Sequence, residues 1–319
     1  MSRVLWIIVT AVLAIVSLFV GVEDVPIDDF LHLTSEQKDV LLISRLPRTI
    51  SIIIAGAGMS LCGLIMQQIT HNRFVSPTTA GTMDAARLGV LVALIVFPAA
   101  GTLSKMLVAF VFALAGTFLF IAILQRIRIK DPIFIPLVGL MFGNILGSIT
   151  TFFAYKNNLV QNIGTWLQGD FSSILRGRYE LLYLSIPLFI IAWLYADRFT
   201  AAGLGESFAT NIGLNYRATV TVGLSIAALM TATVLLTVGA IPFLGLIVPN
   251  IVSIYAGDHL RRVIPLTVLF GASFVLICDI AGRLIIYPYE ISISLMVGII
   301  GSILFICLLV RRQKDAPDQ

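Results

Sequence analysis

The sequence predicts an all-α membrane protein, and three observations carry that prediction. Hydrophobic residues make up 58% of the chain against 12% charged, with a mean hydropathy of +1.00, whereas a soluble domain carries about 25% charged residues. The apolar runs are continuous and around 20 residues long, the length of a helix across a bilayer. They lack the two-residue alternation of a membrane barrel strand, and in lipid only helices and closed barrels satisfy every backbone polar group. The 319 residues read as a single transmembrane domain over 1–319, a polytopic protein in contact with membrane lipid and built of about ten transmembrane helices.

The first span is "VLWIIVTAVLAIVSLFVGV", Val4 to Val22, after Arg3. It is too long for a signal-peptide core and has no small-residue cleavage signal. Further spans are expected at 46–68, 83–100, 103–125, 133–154, 181–196, 217–239, 240–256, 264–285 and 292–310. Pro47 suits the first turn of the second span, where its missing N–H needs no partner. "GLMFGNILG" sets Gly139, Gly143 and Gly147 on one helical face, a doubled G-x-x-x-G that marks close helix packing. "GAIPFLGLIVPNIVS" (239–253) carries Pro242 and Pro249 among glycines. It should form a short, broken or kinked helix, tolerable only where protein surrounds it.

An even number of spans puts both termini on one side. With a cytoplasmic N-terminus, twelve Lys and Arg fall in inner segments and eight in outer ones, while the loops hold six acids inside and nine outside. That bias orients both termini toward the cytoplasm. Arg45 and Arg48 in "SRLPRTISIIIAGAG" then face outward.

Composition also excludes functions. The net charge of +4 resides in short inter-span loops and sets orientation, so no nucleic-acid partner is expected. Cys62, Cys278 and Cys307 lie in apolar runs and His32, His71 and His259 are scattered, so no metal site is expected. No phosphate-binding G-x-x-x-x-G-K-[ST], no H-E-x-x-H and no G-x-S-x-G elbow occurs, so any energy for uphill movement must enter through a partner or an ion gradient. Within the spans, Asp84 and Arg87 are three apart and Asp279 and Arg283 four apart. Either spacing allows a self-neutralising pair on one helical face. A proton-coupled carrier would instead keep an acid free to titrate.

The longest inner loop holds the segment 203–216, with "GESFATNIGLN" at its core. Gly205, Glu206, Ser207, Ala209, Ile212 and Leu214, with a stop at Gly213, suit a short amphipathic helix, a turn, and a second short helix. Such a helix can dock in a groove of a soluble protein.

"RLPRTISIIIAGAGMSLCGLIMQQITHNRFVSPTTAG", "GESFATNIGLN", "GAIPFLGLIVPNIV", "GDHLRRVIP" and "GASFVLICDIAGRLI" stand in the order seen in iron–siderophore ABC importer permeases, the group that includes the vitamin B12 permease. The chain resembles that group from about residue 45 to 312, and within it most resembles permeases for catechol-type siderophores such as petrobactin. The resemblance implies the type II ABC importer permease fold, in a bacterial plasma membrane. It implies a second permease subunit, identical or paralogous, two cytoplasmic ATPases that bind ATP and Mg2+, an extracytoplasmic siderophore-binding protein, and a ferric siderophore as cargo. It implies no cofactor and no catalysis in this subunit. Gly205, Glu206, Ser207, Ala209, Ile212, Gly213 and Leu214 match the segment that couples to the ATPase. Arg45 and Arg48 match outer arginines that dock the binding protein, and Arg283, at the outer end of the ninth span, is a candidate to join them in competition with Asp279. Met59, Gly63, Gln67, Asn72, Pro77 and Asn144 are candidates for the pathway or its gate, and Gly81 belongs to the same pattern.

The chain also departs from the group. Asn72-Arg73 stands where relatives usually read N-P, "PNIVS" where they read P-H-I-V-R, and "YEISIS" where an acid-proline-glycine pattern precedes the last span. An ion-coupled secondary transporter is the alternative reading, and it would work without an ATPase. An intramembrane enzyme is disfavoured by the absence of clustered unpaired acids, histidines or activated serines.

The expected topology can be tested with an impermeant thiol reagent applied to intact cells. A cysteine in place of Gln161 should be labelled from outside and one in place of Ser207 should not; labelling of both would break the ten-span arrangement.

Overall fold

The protein, a computed structural model, is described at residues 3–21, 34–77, 81–126, 134–177 and 179–314. The charged residues at 23–29, 128–131, 178, 315 and 318, which entered the orientation count, lie outside this set. The described residues are helical apart from short turns, with one isolated parallel bridge between Gln168 and Ala240. In chain order the helices are α1 (Arg3–Phe19), α2 (Ser35–Asp39), α3 (Leu46–Ile69), α4 (Thr82–Val96), α5 (Thr102–Arg126), α6 (Phe134–Lys156), α7 (Val160–Leu167), α8 (Ser185–Leu194), α9 (Ala196–Ala202), α10 (Glu206–Asn211), α11 (Tyr216–Val238), α12 (Leu244–Ala256), α13 (Leu260–Leu284) and α14 (Ile293–Lys314).

Every position read as a span holds a helix, but not every helix has the length of one. Among the described residues, Ser35–Ile69, Thr102–Leu124, Leu137–Lys156, Tyr216–Val238 and Leu260–Leu284 are long and apolar enough to cross a bilayer. Glu180–Leu194 with Ala196–Ala202, bent by 59°, makes a sixth if taken as one span. Arg3–Phe19, Leu244–Ala256 and Ile293–Leu308 are apolar but shorter.

The second helical segment starts eleven residues before the expected position, at Ser35 rather than 46. Thr34 caps it: its Oγ1 accepts from Gln37 N at 3.3 Å, and Gln37 Oε1 accepts from Thr34 N at 3.0 Å, a reciprocal capping box. Pro47 is therefore interior and cannot donate to Ile43 O. The backbone answers by widening into a π-turn over Val40–Arg45, in which Leu46 N reaches Leu41 O. The abandoned Ile43 O accepts instead from Arg176 N at 3.0 Å.

α3 is the hub of the bundle, with Ile52, Ala55, Leu61 and Ile65 wholly buried. Its small residues let backbones touch. A methyl group on Gly56 would fall 2.7 Å from Gly271 O of α13, and one on Gly58 would meet Met230 of α11 at 3.2 Å. One on Gly63 would land on the Gly245 carbonyl of α12. The expected glycine face of α6 packs as the motif implies: Gly143 faces Asp84 and Gly81 Cα, and Gly147 faces Asp84, so α6 lies close on the first turn of α4.

The segment 239–253 is broken, as its prolines require. α11 ends at Gly239 (φ +94), residues 240–243 are non-helical, and α12 begins at Leu244. The exposed backbone groups find partners in two other connections. Ala240 N donates to Leu167 O (2.9 Å), Asp170 N donates to Val238 O (2.9 Å), and Ser294 Oγ donates to Ala240 O (2.6 Å). Non-helical chain at membrane depth is tolerated only with such satisfaction.

Gly63→Ala should lower the melting temperature of the solubilised protein, because overpacking of this kind costs about 1–3 kcal/mol or more. Gly164→Ala in α7, where nothing lies within 4 Å, should leave it unchanged or raise it slightly. A thermal-shift assay on both variants checks this.

Candidate functional site

The sequence-selected residues gather at three levels along α3. At its start stand the arginines. Arg48 Nη2 donates to Asp279 Oδ1 at 2.8 Å, and its Nη1 reaches both oxygens of Glu290 at 3.0 and 2.8 Å. Arg283 Nη2 lies 2.7 Å from Asp279 Oδ2, a contact of opposite charges outside hydrogen-bond geometry. Arg283 also donates to Ser17 O (3.0 Å), Val20 O (2.6 Å) and Ser17 Oγ (2.7 Å), while Arg45 Nη1 donates to Leu18 O at 2.8 Å. The last carbonyls of α1 have no intrahelical donors and carry the negative end of the helix dipole. Arg45 and Arg283 supply the donors and the charge.

This differs from the expectation that Arg45 and Arg48 both stand at the outer surface, with Arg283 shared between them and Asp279. Arg45 and Arg283 are buried, at 6% and 5% exposure, and tie α1 to α3 and α13. Arg48 reaches a partly exposed partner, since the Glu290 side chain is 28% exposed against 3% for Asp279. The expected Asp279–Arg283 pair forms, widened by Arg48. The expected Asp84–Arg87 pair does not: among the described residues no ion pair joins them, and Arg87 Nε has no hydrogen-bond partner. The carboxylate lies instead against the Gly143–Gly147 face.

The middle level joins α3 to α12. Pro249 lies inside α12 and cannot donate to Gly245 O. Gln67 Nε2 takes over that role, donating to Gly245 O (3.3 Å) and Leu246 O (3.2 Å). Pro77 packs on Gly245, as does the Met59 carbonyl. Met59, Gly63, Gln67 and Pro77 are thus buried within the subunit at this junction. Asn72 shapes the following turn, its Oδ1 accepting from Phe74 N at 2.9 Å. Asn144 alone of the six candidates is exposed, on α6. Two of the three departures noted in the sequence meet here: Arg73 Nη1 donates to Ser253 Oγ (3.2 Å), and Asn250 Nδ2 donates to Arg73 O (2.7 Å). Arg73 also pairs with Asp258 at 2.8 Å.

The third level is the far end of α3, about 30 Å from Arg48 along the axis. There the Gln68 side chain fills the space beside Gly203, so the 203–213 segment sits on the end of the hub helix. α9 is anchored to α13 by Arg261–Asp197 (2.6 Å) and by Leu260 N donating to Thr200 Oγ1 (3.2 Å). Between Gly205 (φ +106) and Gly213 (φ +79) lies α10. Ala209 is its inward anchor, wholly buried, while Glu206 and Ser207 are exposed and Leu214 is half-buried. The expected second short helix is instead the start of α11: Asn215 Oδ1 accepts from Ala218 N (3.0 Å) and the helix then runs 23 residues.

Sequence reading named Ile212 here but missed its companions. Phe208 in α10 and Leu204 and Ile212 just beyond its ends are exposed apolar side chains, at 46%, 61% and 57%. The four-residue spacing of Phe208 and Ile212 is a readable helical signal. Glu290 was missed for a different reason, since 242 residues separate it from Arg48.

The FecCD transport family model matches residues 9–311. The chain is 63% identical over 309 residues to the petrobactin import system permease protein YclN of Bacillus subtilis strain 168, covering 97% of this chain and 98% of that one. It is 39% identical over 274 residues to the ferric-anguibactin transport system permease protein FatD of Vibrio anguillarum, covering 86% and 87%. A solved structure of an inward-facing metal-chelate type ABC transporter superposes with a TM-score of 0.86 at 21% identity, covering 97% of this chain and 98% of that one. At that identity the likeness is one of fold.

Asp279→Asn should be severely destabilising, by about 3–5 kcal/mol, because it leaves two buried guanidinium groups without their shared anion. Glu290→Ala, at the rim, should cost about 1 kcal/mol or less. Fluorescence-detected size exclusion after a heat step should separate the two.

Proposed function

Because the chain belongs to the FecCD transport family, we propose that it is the permease subunit of an ATP-driven importer carrying a ferric siderophore, of catechol type, into the cytoplasm. The observation that carries the cargo is the 63% identity to a petrobactin import permease over nearly the whole of both chains. An anionic ferric complex of that size cannot cross lipid unaided, and the pathway would run between this subunit and a second permease.

The energy enters from outside the chain, which has no nucleotide-binding signature of its own. The supporting geometry is α10, a short helix anchored inward by Ala209, with Phe208 and the flanking Leu204 and Ile212 exposed to a soluble partner. The partner is an ATPase, one of two, holding ATP and Mg2+. Both termini and α10 are then cytoplasmic, and the Arg48 end of α3 faces outward toward the siderophore-binding protein. With Arg45 and Arg283 buried around α1, the docking role narrows to Arg48. Its guanidinium can grip a carboxylate with two parallel hydrogen bonds.

A second reading, an ion-coupled carrier, draws on Asp84, an intramembrane carboxylate with no ion-pair partner among the described residues. Uptake that persists without any ATPase would favour it.

Bacillus subtilis cells whose own petrobactin permease gene is replaced by this one should take up radio-iron as ferric petrobactin; uptake of a different siderophore and not this one would overturn the cargo assignment. Phe208→Ala should weaken association with the ATPase by about tenfold or more, as removal of a central aromatic anchor does. Glu206→Lys should leave the protein in the membrane but stop substrate-stimulated ATP hydrolysis. Normal coupling in both variants would remove α10 from the interface.

A further inference from the structure

Two guanidinium groups, Arg48 and Arg283, share the deeply buried carboxylate of Asp279 at the start of α3. The other described anion in contact with the group is Glu290, which has the highest side-chain exposure of the three residues in the Arg48–Asp279–Glu290 chain. Arg48 divides its donors between them. Nη2 holds the buried Asp279, and Nη1 is turned to the surface and spans both oxygens of Glu290. Glu290 sits in the turn between α13 and α14, where Ile285, Ile286, Tyr287 and Tyr289 are all more than half exposed. The buried half of Arg48 is a structural contact, and the surface half is one that a second carboxylate could take.

We infer that Glu290 is an internal competitor for a protein carboxylate at the docking face, occupying Arg48 Nη1 until an acidic side chain of the binding protein displaces it. The inference rests on the docking role proposed for Arg48. Its chemistry is an exchange of one carboxylate for another on the same guanidinium, with no net change of charge at the buried Asp279. Arg48 keeps its Asp279 bond throughout, so the core contact of α3 with α13 survives the exchange. The apparent affinity of the binding protein is then reduced by the fraction of subunits in which Glu290 holds Nη1. Association is tuned to be reversible, and the exposed tyrosines and isoleucines of the 285–289 turn flank the place of exchange.

The test uses the assembled transporter in lipid nanodiscs, titrated with the labelled petrobactin-binding protein of Bacillus subtilis, the host of the 63% identical permease. Glu290→Gln removes the competing charge while keeping the side-chain shape, and should tighten association by about threefold to tenfold. Arg48→Lys retains a cation beside Asp279 but loses the fork, and should weaken association by about tenfold or more. In the Arg48→Lys background, Glu290→Gln should have little further effect, so that the two changes are strongly non-additive. If Arg48→Lys weakens association while Glu290→Gln leaves it unchanged or weaker, Glu290 is not a competitor and the inference fails while the docking role stands. If Arg48→Lys leaves association intact, the docking role itself fails and this inference falls with it. Phenylglyoxal modification of residue 48, followed by peptide mass analysis, gives a readout independent of the partner. The Glu290→Gln subunit should be modified faster than the wild type, and equal rates would overturn the inference.

Discussion

Two prolines leave two carbonyls without their helical donors, and much of the architecture answers that shortage. Pro47 cannot serve Ile43 O, and Pro249 cannot serve Gly245 O. In water the solvent would fill both places; at membrane depth nothing but protein can. The remedies are tertiary. Arg176 N reaches Ile43 O from the connection before α8, and Gln67 Nε2 reaches Gly245 O from α3. The same requirement explains the knot of 167–170, 238–240 and Ser294, where three connections exchange backbone and hydroxyl hydrogen bonds around the break before α12.

These remedies demand close approach, and the glycines supply it. Gly56 meets Gly271, Gly63 meets Gly245, and Gly169 meets the Ala240 carbonyl. Each contact removes side-chain volume where a polar group must touch a neighbouring backbone. The buried charges follow a related logic: Arg45 and Arg283 serve the unfilled carbonyls of α1, and Asp279 compensates the cations that service requires.

The elements that depend on local pattern were legible in the sequence: the positions of the apolar helices, the break between α11 and α12, the glycine face of α6, and a short helix bounded by Gly205 and Gly213. The residues that depend on long-range partners were not. The start of the helical segment that runs into α3 was misplaced because Pro47 looks like a helix beginning, and the donor from Arg176 and the π-turn make an interior proline tolerable. Asp84 and Arg87 have pairing spacing, yet the approach of Gly143 decides where the carboxylate lies. The contacts of Arg45, Arg48 and Arg283 with Leu18, Glu290 and Ser17 were not legible because those partners stand far away in the chain. Ala209 was rightly placed in α10, but which residues of that helix face outward depends on where α9 is anchored.

The contact of Gly56 with Gly271 has a mechanical consequence. α3 and α13 lie backbone to backbone, and a slip of one turn, about 5.4 Å, would bring Ile52 or Ser60 to the place that only a glycine fits. The two helices are therefore barred from sliding and behave as one stiff beam. At one tip that beam carries Arg48, Asp279 and Arg283, and at the other it carries Gln68 beside Gly203 and Arg261 beside Asp197. A tilt imposed at either tip must be delivered to the other undiminished. α12 is seated on the flank of the same beam, where Gly63 meets Gly245 and the Gln67 amide serves the carbonyl that Pro249 leaves open, so it is carried along with any such tilt.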